Sequence, residues 1–171
     1  MSKEQRWSTT WALAGYLLVI CSLTIFKGFY HIGPLWRPER QRVRRIEPIP
    51  FDMLLMSRSW FAPNFEYVGN IGLFVPFGAL VVVTCGLWGR ADRLRRATLI
   101  GFALSLCLEV LQFLFALGRS DIDDLMCNTF GTFLGAWLAL RRGPDKSWWW
   151  IGLGIVLTFV FAGIVVLAGG F

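Results

Sequence analysis

An all-α fold is predicted from the sequence, a polytopic membrane protein built as a bundle of about five transmembrane helices. Three observations lead there. The chain has 171 residues and is 56% hydrophobic but only 16% charged, against about 25% charged in an average soluble domain. Its mean hydropathy is +0.56, more apolar surface than a soluble domain of this size can hide. The apolar residues also fall into runs close to the ~20 residues that cross a bilayer core. Residues 1–171 are therefore read as a single multi-pass domain of the cell membrane.

The first run covers residues 11–29 and follows Lys3 and Arg6. Its one charge, Lys27, can snorkel to the interface. No small-residue cleavage site ends it, so it reads as an uncleaved signal-anchor. Residues 30–66 then carry Arg37, Arg40, Arg42, Arg44, Arg45 and Arg58 among Pro34, Pro38, Pro48, Pro50 and Pro63. The prolines exclude one continuous helix, and the apolar stretch 51–61 suits the membrane surface or a re-entrant turn. The second run, 67–88, contains Pro76, which removes a backbone donor and crowds the carbonyl of Gly72, so a kink is expected. The third run is 97–117. The fourth, 124–140, is short and opens on acids. Gly143-Pro144 breaks the chain before the fifth, 148–168, which is uncharged and begins with Trp148, Trp149 and Trp150, an interfacial anchor.

The N-terminus, loop 89–96 and loop 141–147 share one side and hold nine basic residues, against eight on the other. Short loops weigh more in orientation. The turn with Arg90, Arg93, Arg95 and Arg96 is therefore taken as cytoplasmic, with Arg44 and Asp121 outside. A net charge of +6 spread over such loops points to membrane lipids rather than nucleic acid. Cys21, Cys85, Cys107 and Cys127 form no C-x-x-C pair and read as small buried hydrophobes, without a metal or disulfide framework. His31 is the sole histidine, and neither G-x-S-x-G nor H-E-x-x-H occurs, so the usual hydrolase constellations are missing. No cofactor is identified and no residue is assigned as catalytic.

Polar residues inside the runs are the informative ones, since an ionisable group in a span costs about 2.5–3.5 kcal/mol on insertion scales and usually faces a bundle interior. In the third helix Ser105, Glu109 and Gln112 share a face, while Leu106, Val110 and Leu114 point elsewhere. Hydrogen-bonded glue between helices explains Ser105 and Gln112 equally well. It does not require the charge of Glu109. In the fourth, Asp124, Asn128, Gly131 and Gly135 lie within about 60° of one line. Helix capping accounts for one of Asp121, Asp123 and Asp124, and the dipole for another. Three acids beside Arg119 exceed that need and point to a polar site at the helix mouth. Asn70, near the start of the second helix, lies on the same side of the membrane. The third and fourth helices should run antiparallel, with Glu109 and Asp124 at the centre of the site and Gln112 meeting Asn128. The pair Gly131 and Gly135 is expected to touch another helix closely, most simply the third.

Four pieces, taken in order, resemble the VanZ-like family of bacterial membrane proteins. They are Pro-x-Pro-Phe at 48–51, Gly-Asn-x-x-Leu-Phe-x-Pro-x-Gly at 69–78, Glu-x-x-Gln from Glu109 and Gln112, and Arg-x-Asp-x-x-Asp-x-x-x-Asn-x-x-Gly-x-x-x-Gly from Arg119 through Asp121, Asp124, Asn128 and Gly131 to Gly135. Arg119 stands one residue closer to the first Asp than in many relatives. The resemblance covers about residues 30–140. It implies a small helical protein of the bacterial envelope, in the inner membrane, within a family named for a teicoplanin-resistance protein.

Three functions follow from these readings. The first is an envelope protein that modifies susceptibility to glycopeptide or lipid-targeting antibiotics through an outward-facing polar site. Its Arg-rich loop would pair with membrane lipids or a lipid-linked envelope precursor. The second is a membrane enzyme acting on a lipid-linked or phosphate-bearing substrate, with Glu109, Asp121, Asp123 and Asp124 supplying acid/base groups or Mg²⁺ ligands. The third is a transporter using Glu109 as a proton-coupled site, for which five helices would need a homo-oligomer to enclose a path.

Overall fold

The computed structural model describes residues 3–25, 45–52, 55, 61–117, 119–143 and 147–167. Lys27, His31, Arg37, Arg40, Arg42, Arg44, Arg58 and Lys146 lie outside the described residues, as does the side chain of Arg119.

Five long helices make up most of the described chain: α1 (Lys3–Ile25), α2 (Phe61–Leu87), α3 (Arg93–Phe115), α4 (Ile122–Arg142) and α5 (Ser147–Leu167). The all-α class is correct. Three stretches, Lys3–Ile25, Pro63–Leu87 and Arg93–Phe115, are long and apolar enough to cross a membrane, and Ser147–Gly163 is apolar but shorter. Helix boundaries extend past the apolar runs because polar residues continue the helices. In α1 the hydroxyls of Thr9 and Thr10 donate back to the carbonyls of Gln5 and Arg6 at 2.7 and 2.9 Å, so neither competes with the helix by bonding elsewhere.

α2 is the central element and packs against all four other helices. Phe74, Phe77, Ala79, Leu80, Val81 and Val82 bury almost completely along it. Pro76 lies inside α2 without ending it. The Tyr16 hydroxyl of α1 donates to the Leu73 carbonyl at 2.9 Å, giving a neighbouring partner to the turn that the proline weakens.

α4 is inside-out relative to a soluble helix. Its buried face is small or polar, with Asn128, Gly131, Thr132 and Gly135, while Met126, Phe130 and Phe133 are exposed. Such a helix can sit inside the bundle only where backbones approach closely. The most extensive helix contact is accordingly α2 with α4. A Cβ on Gly131 would overlap the Ile71 carbonyl, one on Gly135 the Val75 carbonyl, and one on Gly78 the Thr132 carbonyl. The glycine pair thus meets the second helix, not the third as its short connection to α4 implied. α3 touches α4 through side chains instead, with Thr132 seated over Gly101.

Two three-residue strands complete the described fold. β1 (Arg45–Glu47) pairs in parallel with β2 (Arg119–Asp121), in the register Arg45 to Arg119, Ile46 to Ser120 and Glu47 to Asp121. The long first loop is thereby strapped onto the α3–α4 connection. Contacts of Tyr67 with Asp123 and of Gly78 with Thr132 run in the same order along α2 and α4, so these helices are parallel. Ser105 with Asn128 and Gly101 with Thr132 make α3 antiparallel to α4. The strap and the start of α4 therefore lie at one end of the bundle. The start of α1, which meets Trp88, and the start of α5, which meets Arg142, lie at the other.

Candidate functional site

At the strap end, acids from two helices and a strand are drawn into one hydrogen-bonded cluster. Its centre is the turn into α4. Asp121 is the N-cap, its Oδ1 accepting from the Asp123 N–H at 2.9 Å, which satisfies one of the free amides every helix start leaves. The N–H of Asp121 in turn donates to Glu109 Oε2 at 2.8 Å. Glu109 thus reaches from α3 to the backbone of the strand that opens α4. Glu109, expected at the centre of the site with Asp124, bonds to the backbone of Asp121. Capping is part of the story, for Asp121.

Asp124, the third residue of α4, accepts from the Asn70 amide of α2. Asp123 does more than favour the helix dipole. Both its carboxylate oxygens accept from the Phe51 N–H, at 2.9 and 3.0 Å, and Oδ2 accepts from the Tyr67 hydroxyl at 2.7 Å. Phe51 holds a left-handed backbone at φ 62, costly for a residue with a side chain. Its ring meets Tyr67 edge to face at 6.3 Å. The Pro-x-Pro-Phe turn is therefore clamped on α2 and α4 through Asp123. Exposures of 6% for Glu109 and Asp121, 2% for Asp123 and 9% for Asp124 show four acids withdrawn from the surface together. Buried acids are tolerated only where hydrogen bonds or charges compensate them.

Two amides stand further along the α3 face. Asn128 donates to Ser105 Oγ at 3.0 Å, and Gln112 donates to the Thr24 carbonyl of α1 at 2.9 Å. The expected meeting of Gln112 with Asn128 is not formed. In antiparallel helices a step inward along α4 is matched by a step to lower numbers on α3, so Asn128 finds Ser105 while Gln112 stays near the mouth. There it satisfies a carbonyl near the end of α1, where helices leave acceptors open. That carbonyl only accepts, so the Gln112 NH₂ must face it. Gln112 Oε1 and Asn128 Oδ1 are buried with no hydrogen-bond partner. Both residues are at most 3% exposed, and an orphan buried acceptor costs about 1–3 kcal/mol.

Of the seven residues singled out in the sequence, Asn70, Glu109, Asp121 and Asp124 converge at the turn, Gln112 and Asn128 flank it, and Arg119 contributes its backbone to β2. Asp123, Tyr67 and Ser105 deserve equal rank. Tyr67 was legible in part, since it precedes Asn70 by three residues and shares its helix face. Among the described residues no three Cys, His, Asp or Glu side chains are grouped to hold a metal ion.

An apolar helical bundle with a buried, acceptor-rich polar cluster strapped at one end is the class of protein that fold and site define. The family model described as VanZ/LLP1 matches residues 13–143, a span that includes every cluster residue. Protein VanZ of Enterococcus faecium is 33% identical over 123 residues, covering 72% of this chain and 68% of that protein. The chain belongs to the VanZ/LLP1 family. No solved structure matches it significantly.

Proposed function

We propose that the chain is a multi-pass protein of the bacterial inner membrane that modifies susceptibility to glycopeptide or lipid-targeting antibiotics, acting through the polar cluster on its outward face. The observation that carries this reading is the presence, beside the buried acids at the start of α4, of two buried amide carbonyls, Gln112 Oε1 and Asn128 Oδ1, that have no hydrogen-bond partner. A purely structural cluster would satisfy its own acceptors. This one has acceptors to spare, so it suits a ligand presenting N–H or O–H donors, such as amines, amides or sugar hydroxyls of an antibiotic or of a lipid-linked envelope precursor. The strap lies across the turn into α4, held by a two-strand pairing and the Phe51–Asp123 bonds.

The test is expression of the intact chain in a susceptible host, compared with an empty vector. The minimum inhibitory concentration of a lipid-anchored glycopeptide should rise several-fold, while that of an antibiotic with a cytoplasmic target stays put. Equal shifts for both drugs, or none, would refute the reading.

A further inference from the structure

The end of the bundle opposite the strap holds a second feature. The last turns of α2 and α4 and the first of α3 and α5 leave a groove between them. Val82, Val83 and Leu140 form its apolar part, and Gly86, Arg93 and Ser147 line it as well. Arg93 lies directly over Gly86: a Cβ there would stand 2.8 Å from Arg93 Nη1. The guanidinium has this seat because residue 86 has no side chain. Ser147 is the first residue of the 21-residue helix α5, so the positive end of its dipole lies at the same groove.

The surroundings are basic and aromatic. Arg90, Arg95 and Arg96 follow or flank Arg93 and are exposed. The neighbouring arginines are engaged by rings: Arg141 lies over Trp137 at 4.3 Å and Arg142 over Trp149 at 4.6 Å. Trp88, Trp148 and Trp149 are more than half exposed. Exposed tryptophans beside arginines at the end of an apolar bundle mark the headgroup level of a bilayer. Among the described residues Arg93 meets no acid in an ion pair, and it has the forked donors that match a phosphate.

We propose that this groove seats the headgroup of an anionic phospholipid, with the phosphodiester on the Arg93 guanidinium at the start of α5 and the acyl chains leaving the groove past the half-buried Leu140. Charge complementarity selects an anionic headgroup over a neutral one, since basic pockets between membrane helices attract such lipids. The apolar part of the groove selects a lipid over free phosphate. The proposal is independent of the polar cluster and of which way the bundle faces.

Thermal unfolding of the purified full chain in detergent tests it. Titration with phosphatidylglycerol should raise the melting temperature saturably, while phosphatidylcholine of the same chains and inorganic phosphate should not. Arg93→Gln should weaken the apparent affinity by about tenfold, of the order expected for loss of a charge-assisted fork. Arg95→Gln, outside the groove, should stay within about twofold, as a screened surface charge does. Gly86→Ala keeps every charge and displaces only the guanidinium, so it should also weaken binding, and it decides the matter if Arg93→Gln does not fold. Equal stabilisation by phosphatidylcholine or by phosphate would overturn the proposal. So would equal losses in the Arg93 and Arg95 variants, or a Gly86→Ala protein that binds as the original does.

Discussion

Asp123 is the residue on which the strap depends, because its carboxylate takes the Phe51 N–H and the Tyr67 hydroxyl at once. Asp123→Asn places an NH₂ group where one of these donors now points. The expected loss is about 1–3 kcal/mol, the range for a buried group left without its partner, read as a lowered unfolding midpoint in detergent. Tyr67→Phe should cost about 1 kcal/mol, and the double variant less than the sum, because the two residues share one bond. Strict additivity would mean that the bond contributes nothing. How much of this was legible differs residue by residue. Ser105, Glu109 and Gln112 share a face by helical period, and all three are buried while Leu106, Val110 and Leu114 are exposed. Their partners were not legible, since a period says which way a residue faces and nothing of what it meets. The Phe51–Asp123 contact spans 72 positions and leaves no local trace.

At the scale of elements, the α2–α4 contact rests on glycine more than on any apolar side chain. Gly135→Leu forces a side chain into the Val75 carbonyl, and overpacking of this kind costs about 1–3 kcal/mol or more. Gly72→Ala is the matched control: nothing lies within 4 Å of a Cβ there. It should be neutral or stabilise by up to about 1 kcal/mol through helix propensity. Equal effects at the two positions, measured by thermal unfolding, would contradict the close approach. The five long helices of the described residues were legible as apolar runs, though α4, which opens on acids, is not apolar enough to be found by hydropathy alone. Their ends were not legible, because Lys3 to Thr10 or Arg93 to Arg96 continue a helix without adding apolar character. The strands β1 and β2 were missed for a related reason. Three residues are too few for alternation to register, and both strands are polar or charged at most positions.

For the whole molecule, the two ends differ in kind. One gathers buried acids and amides beneath a strap, the other arginines and exposed tryptophans around a groove. The proposed function sets a lipid bilayer between these ends, and on that reading the bias of short basic loops is expected to hold the arginine end in the cytoplasm. Single cysteines at Arg95 and at Ile49 on the strap, in a background lacking the four native cysteines, should label from opposite sides. Position 95 should react only after permeabilisation, and position 49 in intact cells. Labelling of both from one side would contradict a bundle that spans the membrane between them.

Whether the polar cluster acts or merely holds the fold is decided by isosteric neutralisation. Glu109→Gln keeps an oxygen for the Asp121 N–H, and Asp124→Asn keeps one for the Asn70 amide, so each variant preserves shape and the hydrogen bonds described here while deleting a charge. The measurement is antibiotic susceptibility of cells that carry the variants at membrane abundance matched to the original chain, with unfolding midpoints measured alongside. An active cluster predicts two folded, abundant proteins whose protection against a lipid-anchored glycopeptide is lost. Full protection from both variants would leave Glu109 and Asp124 as capping and interhelical glue, and the proposed site would fall with it.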